Sequence, residues 1–110
     1  MTRLAIPVSV GEIAEQFEHF QYFLFYEVSE SNVVRRYIED GHIADRELIP
    51  EWLCKKGINI LLVRGIYKNV VRTLNQRKIQ VYVGCYQNVP DEAVKDFIKG
   101  ELITDTAFCH

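Results

Sequence analysis

The chain has 110 residues, of which 48% are hydrophobic and 25% are charged, and its formal net charge is −2. This composition is typical of one globular domain with its own hydrophobic core, and the near-neutral charge gives nucleic-acid binding little support. No apolar run approaches the roughly 20 residues that cross a bilayer, and the first residues lack a secretory pattern, so we expect a cytoplasmic protein that does not bind membranes. The three cysteines lack CxxC spacing, which argues against a disulfide framework and a four-thiolate zinc site.

The first third of the chain predicts three strands. Residues 4–10 (LAIPVSV) are rich in β-branched side chains, and Gly11 ends this segment. Residues 22–29 (YFLFYEVS) and 33–38 (VVRRYI) are two further β-branched and aromatic runs. Residues 30–32 between them supply turn chemistry, so a hairpin is the simplest arrangement.

A polar loop and a short helix are predicted next. Residues 39–47 are mostly polar, which favours a loop in which His42 is exposed to solvent. Leu48 and Trp52 then recur at helical spacing. Gly57 is expected to end this helix, because glycine adopts the left-handed conformation found after many helices.

The second half of the chain predicts a parallel strand pair joined by a helix. Residues 57–84 (GINILLVRGIYKNVVRTLNQRKIQVYVG) have the pattern of strand, turn, helix and strand. Asn88 and Pro90 then supply the signals that begin a last helix, and Gly100 ends it. The predicted order is therefore βββαβαβα in a mixed sheet.

Charge is distributed unevenly along the sequence. Positions 55 to 78 carry no acid and seven bases, which are Lys55, Lys56, Arg64, Lys68, Arg72, Arg77 and Lys78. From Glu12 to Glu51, by contrast, there are ten acids and three bases. This asymmetry indicates an anionic ligand or an acidic partner, and it does not indicate a particular reaction.

Five segments of the chain carry a family resemblance. In order from about Leu4 to Leu102, they are IPVS, EQFEHFQYFLFYEV, GINILLVRGI, KIQVYVG and KDFIKGEL. Together they resemble the dinitrogenase iron-molybdenum cofactor biosynthesis family of nitrogenase accessory factor-like proteins. The resemblance implies one α/β domain over residues 1–102, with a ribonuclease H-like fold, a mixed five-stranded sheet and helices packed on it. Residues 103–110 would then form a tail.

The resemblance also implies a role in nitrogen fixation. That role is non-enzymatic binding or carriage of an iron-molybdenum or iron–sulfur cluster, with metallocofactor assembly proteins or a metalloenzyme apo-protein as partners. The alternative is a divergent member without a cluster that acts as a protein-interaction or regulatory module, for example as a homodimer. Enzymatic activity is not expected, because LAIPVSV and NILLVRG lack the acids that a ribonuclease H-type two-metal site needs. No nucleotide-binding or nucleophile-elbow motif is present either.

Three departures from the family pattern fall in predicted loops. Gln16 and Glu18 stand where family members often have the His and Gly of Glu-His-Phe-Gly. Tyr67 replaces the second glycine of Gly-Ile-Gly, and residues 85–88 replace a glycine-rich turn. His19 lies three residues after Gln16, so it could supply the missing imidazole if this segment is helical.

The remaining candidate site combines an anion cradle with a thiol. Arg64 and Gly65 are predicted to end a strand and begin a helix, where free N–H groups favour an anion, and Lys68 would lie one turn further along. Cys85, after the neighbouring strand, is the best-placed thiol for a cluster. The alternative is that the cations are solvated surface residues and that Cys85 is a small core residue.

A second candidate metal site lies in the predicted tail. Cys109 and His110 are adjacent soft donors of the kind that bind transition metals. The ends of chains are usually mobile, so the alternative is that this pair is unstructured and binds nothing.

Overall fold

The computed structural model of the protein describes residues 1–40 and 46–110. Most of the predicted loop at 39–47, including His42, lies outside the described residues. No helix in the described part of the chain is both long enough and apolar enough to cross a membrane.

The described residues form six strands and three α-helices. The strands are β1 (Thr2–Ser9), β2 (Glu12–Ile13), β3 (Tyr22–Ser29), β4 (Asn32–Glu39), β5 (Ile60–Leu62) and β6 (Gln80–Tyr82). The helices are α1 (Ile49–Lys55), α2 (Lys68–Gln76) and α3 (Pro90–Lys99), and short 3-10 segments occur at Phe17–His19, Arg46–Leu48 and Thr106–Phe108. The predicted order is confirmed apart from β2. The predicted count of five strands omits β2, because two residues are too few to show an alternating pattern.

All six strands belong to one mixed sheet. The order is β4-β3-β1-β5-β6, and β2 pairs with the end of β1. Strand β3 runs antiparallel to β1 and β4, whereas β5 runs parallel to β1 and β6. The predicted parallel pair joined by a helix is confirmed as β5, α2 and β6. Because β1, β5 and β6 run in the same direction, their carboxyl ends meet at one edge of the sheet.

Side chains that alternate along the strands build two hydrophobic layers. In β3, Phe23 and Phe25 belong to one layer, and Leu24 and Tyr26 belong to the other. Apolar residues of α1 and α2 pack on the first layer, and those of α3 pack on the second. The sheet is therefore covered on both faces, which explains why β1 and β3 are almost continuously apolar.

Tight turns connect the antiparallel strands. In the turn between β3 and β4, Glu30 and Ser31 have φ angles of 50° and 66°. Two left-handed residues in succession match the right-handed twist of the strands that they join. Val10 and Gly11, with φ angles of 52° and 78°, make the corresponding turn between β1 and β2. The predicted hairpin over residues 22–38 is confirmed.

Candidate functional site

Four segments meet at the edge of the sheet where β1, β5 and β6 end. They are residues 14–21 after β2, residues 63–67 before α2, residues 83–89 before α3, and residues 103–110, which we call the strap. Backbone hydrogen bonds join them. The Gly65 N–H donates to the Glu15 carbonyl over 2.9 Å, and the Ile66 N–H donates to the Phe108 carbonyl over 3.1 Å.

Gly65 packs directly against the segment that follows β2. Its carbonyl accepts a hydrogen bond from the Phe17 N–H over 2.8 Å. A Cβ atom at this position would lie 2.7 Å from the Glu15 carbonyl oxygen and 2.2 Å from Gln16 Oε1. Glycine is therefore required here by the close approach of two backbone segments.

Helix α2 begins later than the sequence predicts. Strand β5 ends at Leu62 and α2 starts at Lys68, so Arg64 and Gly65 lie in the connecting loop. The prediction that Gly65 opens the helix is wrong, because the N–H groups of Gly65 and Ile66 bond to neighbouring segments. These two groups do not form an anion cradle. Lys68 is the first residue of the helix rather than a residue one turn further along.

Arg64 connects two of the segments at this edge. Its guanidinium donates a hydrogen bond to Asn88 Oδ1 and lies 5.6 Å from the centre of the Phe108 ring. An arginine over an aromatic face is attracted by the ring electrons. Arg64 therefore has a structural role here, which differs from the solvated or anion-binding roles considered from sequence.

Backbone hydrogen bonds fix the strap to the sheet. The Asp105 N–H donates to the carbonyls of Val83 and Gly84, each over 3.1 Å, and the His110 N–H donates to the Ile66 carbonyl over 2.9 Å. Gly84 has a φ angle of 74°, and a Cβ atom on it would lie only 2.0 Å from the Asp105 carbonyl oxygen. The strap can approach because Gly84 has no side chain. Cys109 and His110 are therefore held in defined positions.

A shallow groove of about 460 Å³ lies between the strap and α2, and we call it the basic groove. It is lined by Lys68, Val71, Arg72, Asn75, Gln76 and Cys109. Lys68 and Arg72 are exposed and stand four residues apart, so they share one face of α2. Cys109 is half-buried. The fold thus brings Cys109 of the strap and the two cations of the helix to the same groove, where Cys109 also packs against the core.

The three thiols differ in accessibility. Cys85 is buried and its S–H donates to the Tyr82 carbonyl over 3.7 Å. Burial raises the pKa of the Cys85 thiol to about 11, although the nearby Arg64 charge opposes the shift. Forming the thiolate that a metal ion binds is therefore less favourable at Cys85 than at an ordinary exposed thiol. Cys54 is exposed on α1, so Cys109 is the thiol that borders the basic groove.

The histidines supply only some of the ligands that a metal site would need. His19 is exposed at the end of the 3-10 segment Phe17–His19, so the helical geometry predicted for it extends over only three residues. In residues 1–40 and 46–110, no group of three or more His, Cys, Asp or Glu side chains could hold a metal ion. Any cluster bound at this edge would have to keep some of its own ligands.

A second recess of about 410 Å³ lies on the other flank of α2. Its apolar walls include Phe17, Phe20, Ile49, Tyr67 and Val70. These residues come from separate segments of the chain, and only the tertiary structure brings them together. From the sequence, the recess is indicated only by Phe17 and Phe20, two apolar residues that stand three positions apart.

Comparison with known proteins identifies the family. Residues 1–100 match the protein family described as dinitrogenase iron-molybdenum cofactor. The chain belongs to this family. No match was found among curated proteins.

Solved structures similar to this family member have the same fold. The crystal structure of PH0822 is 24% identical, covers 97% of each chain and gives a TM-score of 0.88. A protein from Methanocaldococcus jannaschii is 22% identical, covers 94% of each chain and gives a TM-score of 0.76. The apo form of the orange protein from Desulfovibrio gigas is 18% identical, covers 96% of this chain and 93% of its own, and gives a TM-score of 0.75.

In this member of the dinitrogenase iron-molybdenum cofactor family, Gln16 and Tyr67 depart from the family pattern, and both side chains contact the imidazole of His110. Gln16 and His110 form a side-chain hydrogen bond with 2.9 Å between their Nε2 atoms. The Tyr67 ring lies edge-to-face with the His110 ring, with 5.2 Å between the ring centres. An imidazole is therefore present beside Gln16, and it comes from the strap.

Proposed function

We propose that this protein binds and carries an anionic iron-molybdenum or iron–sulfur cluster as cargo in the cytoplasm, without catalysing a reaction. The observation that carries the proposal is the basic groove, whose lining includes Cys109 of the strap and Lys68 and Arg72 of α2. Membership of the dinitrogenase iron-molybdenum cofactor family supports the choice of cargo. The strand order β4-β3-β1-β5-β6 supports the ribonuclease H-like class that the resemblance implies.

The groove has the chemistry that a sulfide-rich anion needs. Lys68 and Arg72 supply positive charge on one exposed face of α2. The side-chain amides of Asn75 and Gln76 can donate hydrogen bonds to sulfide or carboxylate groups of the cargo. Cys109 can supply one thiolate, the soft ligand that iron–sulfur species prefer.

The protein provides few ligands of its own. Cys109 is one thiol, and the imidazole of His110 follows it in the strap. Because the described residues contain no larger donor group, the cluster would arrive with sulfide or organic-acid ligands and keep most of them. Incomplete coordination suits a carrier, since the cargo must leave again for an assembly protein or a metalloenzyme apo-protein.

This proposed site differs from the one predicted from sequence. The first site predicted from sequence combined Arg64, Gly65, Lys68 and Cys85, with His19 as a further ligand. In the structure, Gly65 bonds to the neighbouring segment, and Cys85 is buried, which raises the pKa of its thiol. Lys68 is shared by both sites. Cys109 therefore replaces Cys85 as the thiol in the proposal.

Anaerobic titration with a synthetic thiolate-ligated iron–sulfur cluster tests the proposal, with uptake followed by visible absorbance. We expect uptake by the unmodified protein and by the Cys54→Ser control, whose thiol lies on α1 outside the groove. Cys109→Ser should abolish uptake. Failure of the unmodified protein to bind would refute carriage, and loss of uptake in a folded Cys85→Ser variant alone would place the site at the buried thiol.

The cations are tested separately. Replacing Lys68 and Arg72 by alanine together should weaken uptake and reduce its sensitivity to salt, because exposed charges are screened by ions. Lys95→Ala combined with Lys99→Ala is the matched control, since it also removes two exposed positive charges from a helix, here α3. Equal losses in both variants would show that general charge, rather than the groove, attracts the cluster.

A further inference from the structure

Strand β4 presents a long open edge. It lies at one end of the strand order, so its outer side has no strand partner in the described part of the chain. Its inner side pairs with β3 from Asn32 to Glu39, with a bulge at Val34, so the regular part of this edge runs from Arg35 to Glu39. At the opposite end of the sheet, β6 has only three residues. A short edge strand is one way in which proteins prevent pairing with another chain.

Apolar side chains project from this edge strand. Val34 and Ile38 are each 56% exposed. A strand edge with free N–H and C=O groups and exposed branched side chains is a template for pairing with another strand. No described residue outside β3 pairs with β4 as a strand.

The charges along β4 favour a second copy of the strand as the partner. Arg35 and Glu39 are four residues apart, so they lie on the same face of the strand. If a second copy of β4 runs antiparallel about a two-fold axis through Tyr37, each Arg35 lies opposite Glu39 of the second copy. An axis through Arg35 or Arg36 would instead bring two identical cations together, which is destabilising.

Both charged groups can accept this second partner. The Arg35 side chain is 63% exposed although it contacts Glu27 Oε2 at 3.2 Å. The Glu39 side chain pairs with Lys56 and is still 37% exposed. Arg35 and Glu39 are therefore each exposed enough to form a second ion pair with the other copy, and these pairs would alternate in charge across the two strands.

We propose that β4 is a self-association surface, on which two copies of this chain form a continuous sheet through antiparallel β4 strands centred on Tyr37. The symmetry repeats the contact between Arg35 and Glu39 twice, because an isologous interface uses the same patch on both copies. This surface shares no residue with the basic groove.

Sedimentation velocity of the full chain at increasing concentration tests the proposal. We expect a concentration-dependent dimer, and a monomer up to millimolar concentration would refute it. Arg35→Glu and Glu39→Arg should each weaken the dimer at least about five-fold, as two cross-strand charge pairs change from attraction to repulsion. The double variant should restore association. Glu27→Gln is the control, because it removes the partner of Arg35 within the chain and leaves the interface charges unchanged.

Cross-linking tests the register directly. In a background with Cys54 and Cys109 replaced by serine, Tyr37→Cys should form a disulfide-linked dimer, because residues at the axis have Cα atoms about 4.5–5.5 Å apart. Val34→Cys should not, since its two copies would be about 20 Å apart along the strands. Efficient cross-linking through Val34→Cys, or a dimer that all charge variants leave unchanged, would overturn the proposed pairing.

Discussion

Replacing Tyr26 with phenylalanine is expected to destabilise the protein through the loss of one hydrogen bond. The Tyr26 hydroxyl donates to Asp91 Oδ1 over 2.6 Å, and the same oxygen accepts from Arg36 Nε over 2.9 Å. These contacts tie β3 and β4 to the first turn of α3. The ring of Tyr26 is buried, and phenylalanine would preserve its packing.

The magnitude follows from the exposure of the partners. A hydrogen bond to a charged group contributes about 1.5–3 kcal/mol to stability. The Asp91 and Arg36 side chains are 52% and 45% exposed, so water replaces part of the lost contact. We therefore expect a loss of about 1–2 kcal/mol in the free energy of unfolding. For a domain of this size, that loss lowers the melting temperature by about 4–9 °C.

The effect should depend on pH. The hydrogen bond from Tyr26, reinforced by Arg36 and opposed by partial burial, lowers the pKa of Asp91 below its ordinary value of 3.8. A carboxyl group with a lowered pKa stabilises the folded state above its unfolded pKa, and this contribution is lost as pH falls through the folded value. The difference between the unmodified protein and Tyr26→Phe should therefore be largest near neutrality and shrink below about pH 3.8.

At high pH, the contribution of Tyr26 itself to stability falls as pH rises, which is the opposite of the trend for Asp91. Burial, followed by the hydrogen bond to Asp91, raises the pKa of Tyr26 above its ordinary value of 10.0. Its contribution is present below pH 10.0 and declines as pH rises towards the raised value, because the unfolded tyrosine ionises first. The phenylalanine variant lacks this decline.

Chemical unfolding monitored by circular dichroism across this pH range provides the assay. Tyr37→Phe is the matched control, because the Tyr37 ring stacks on Phe25 and its hydroxyl has no hydrogen-bond partner within residues 1–40 and 46–110. Equal destabilisation by both substitutions, or a loss in Tyr26→Phe that is constant from pH 7 to pH 3, would refute the assigned hydrogen bond.

Three further predictions concern the strap, the core and the buried thiol. Gly84→Ala should release the strap, measured as faster amide hydrogen exchange in residues 103–110, whereas Gly11→Ala, with a similar φ angle and no atom within 4 Å, should leave that exchange unchanged. Phe23→Ala should lower the free energy of unfolding by about 3–5 kcal/mol in urea titrations, and a loss below about 1 kcal/mol would contradict its central place in the core. Cys85 should resist alkylation at pH 8 while Cys54 reacts, as checked by mass spectrometry, because burial raises the pKa of Cys85 to about 11. Equal rates of labelling would show that Cys85 is accessible.

The fold was largely predictable because its signals are local. Aromatic and β-branched runs predicted β1, β3 and β4, and Gly100 predicted the end of α3, where it adopts a φ angle of 73°. The pattern of residues 57–84 predicted the parallel pair and its connecting helix. Strand β2 was missed, since its two residues pair with β1 and carry no periodicity of their own.

The candidate site was only partly predictable. Lys68 and Cys109 were each identified from residue type, but nothing in the sequence placed them in the same groove. Cys85 was identified as the best-placed thiol because it follows a strand, but the alternative given with it is correct, since Cys85 is buried in the core layer that α3 covers. Sequence position indicates which groups exist, whereas accessibility depends on what packs over them.

The amino-acid sequence by itself determined five of the six described strands, the three helices apart from where α2 begins, the uneven distribution of charge and the family. These properties depend on neighbouring residues and on the order of short motifs. Only the tertiary structure decided that the strap lies across the loops, that His110 meets Gln16 and Tyr67, and that Cys109 borders the basic face of α2. Those contacts join residues far apart in the chain, and they form because the carboxyl ends of three parallel strands meet at one edge of the sheet.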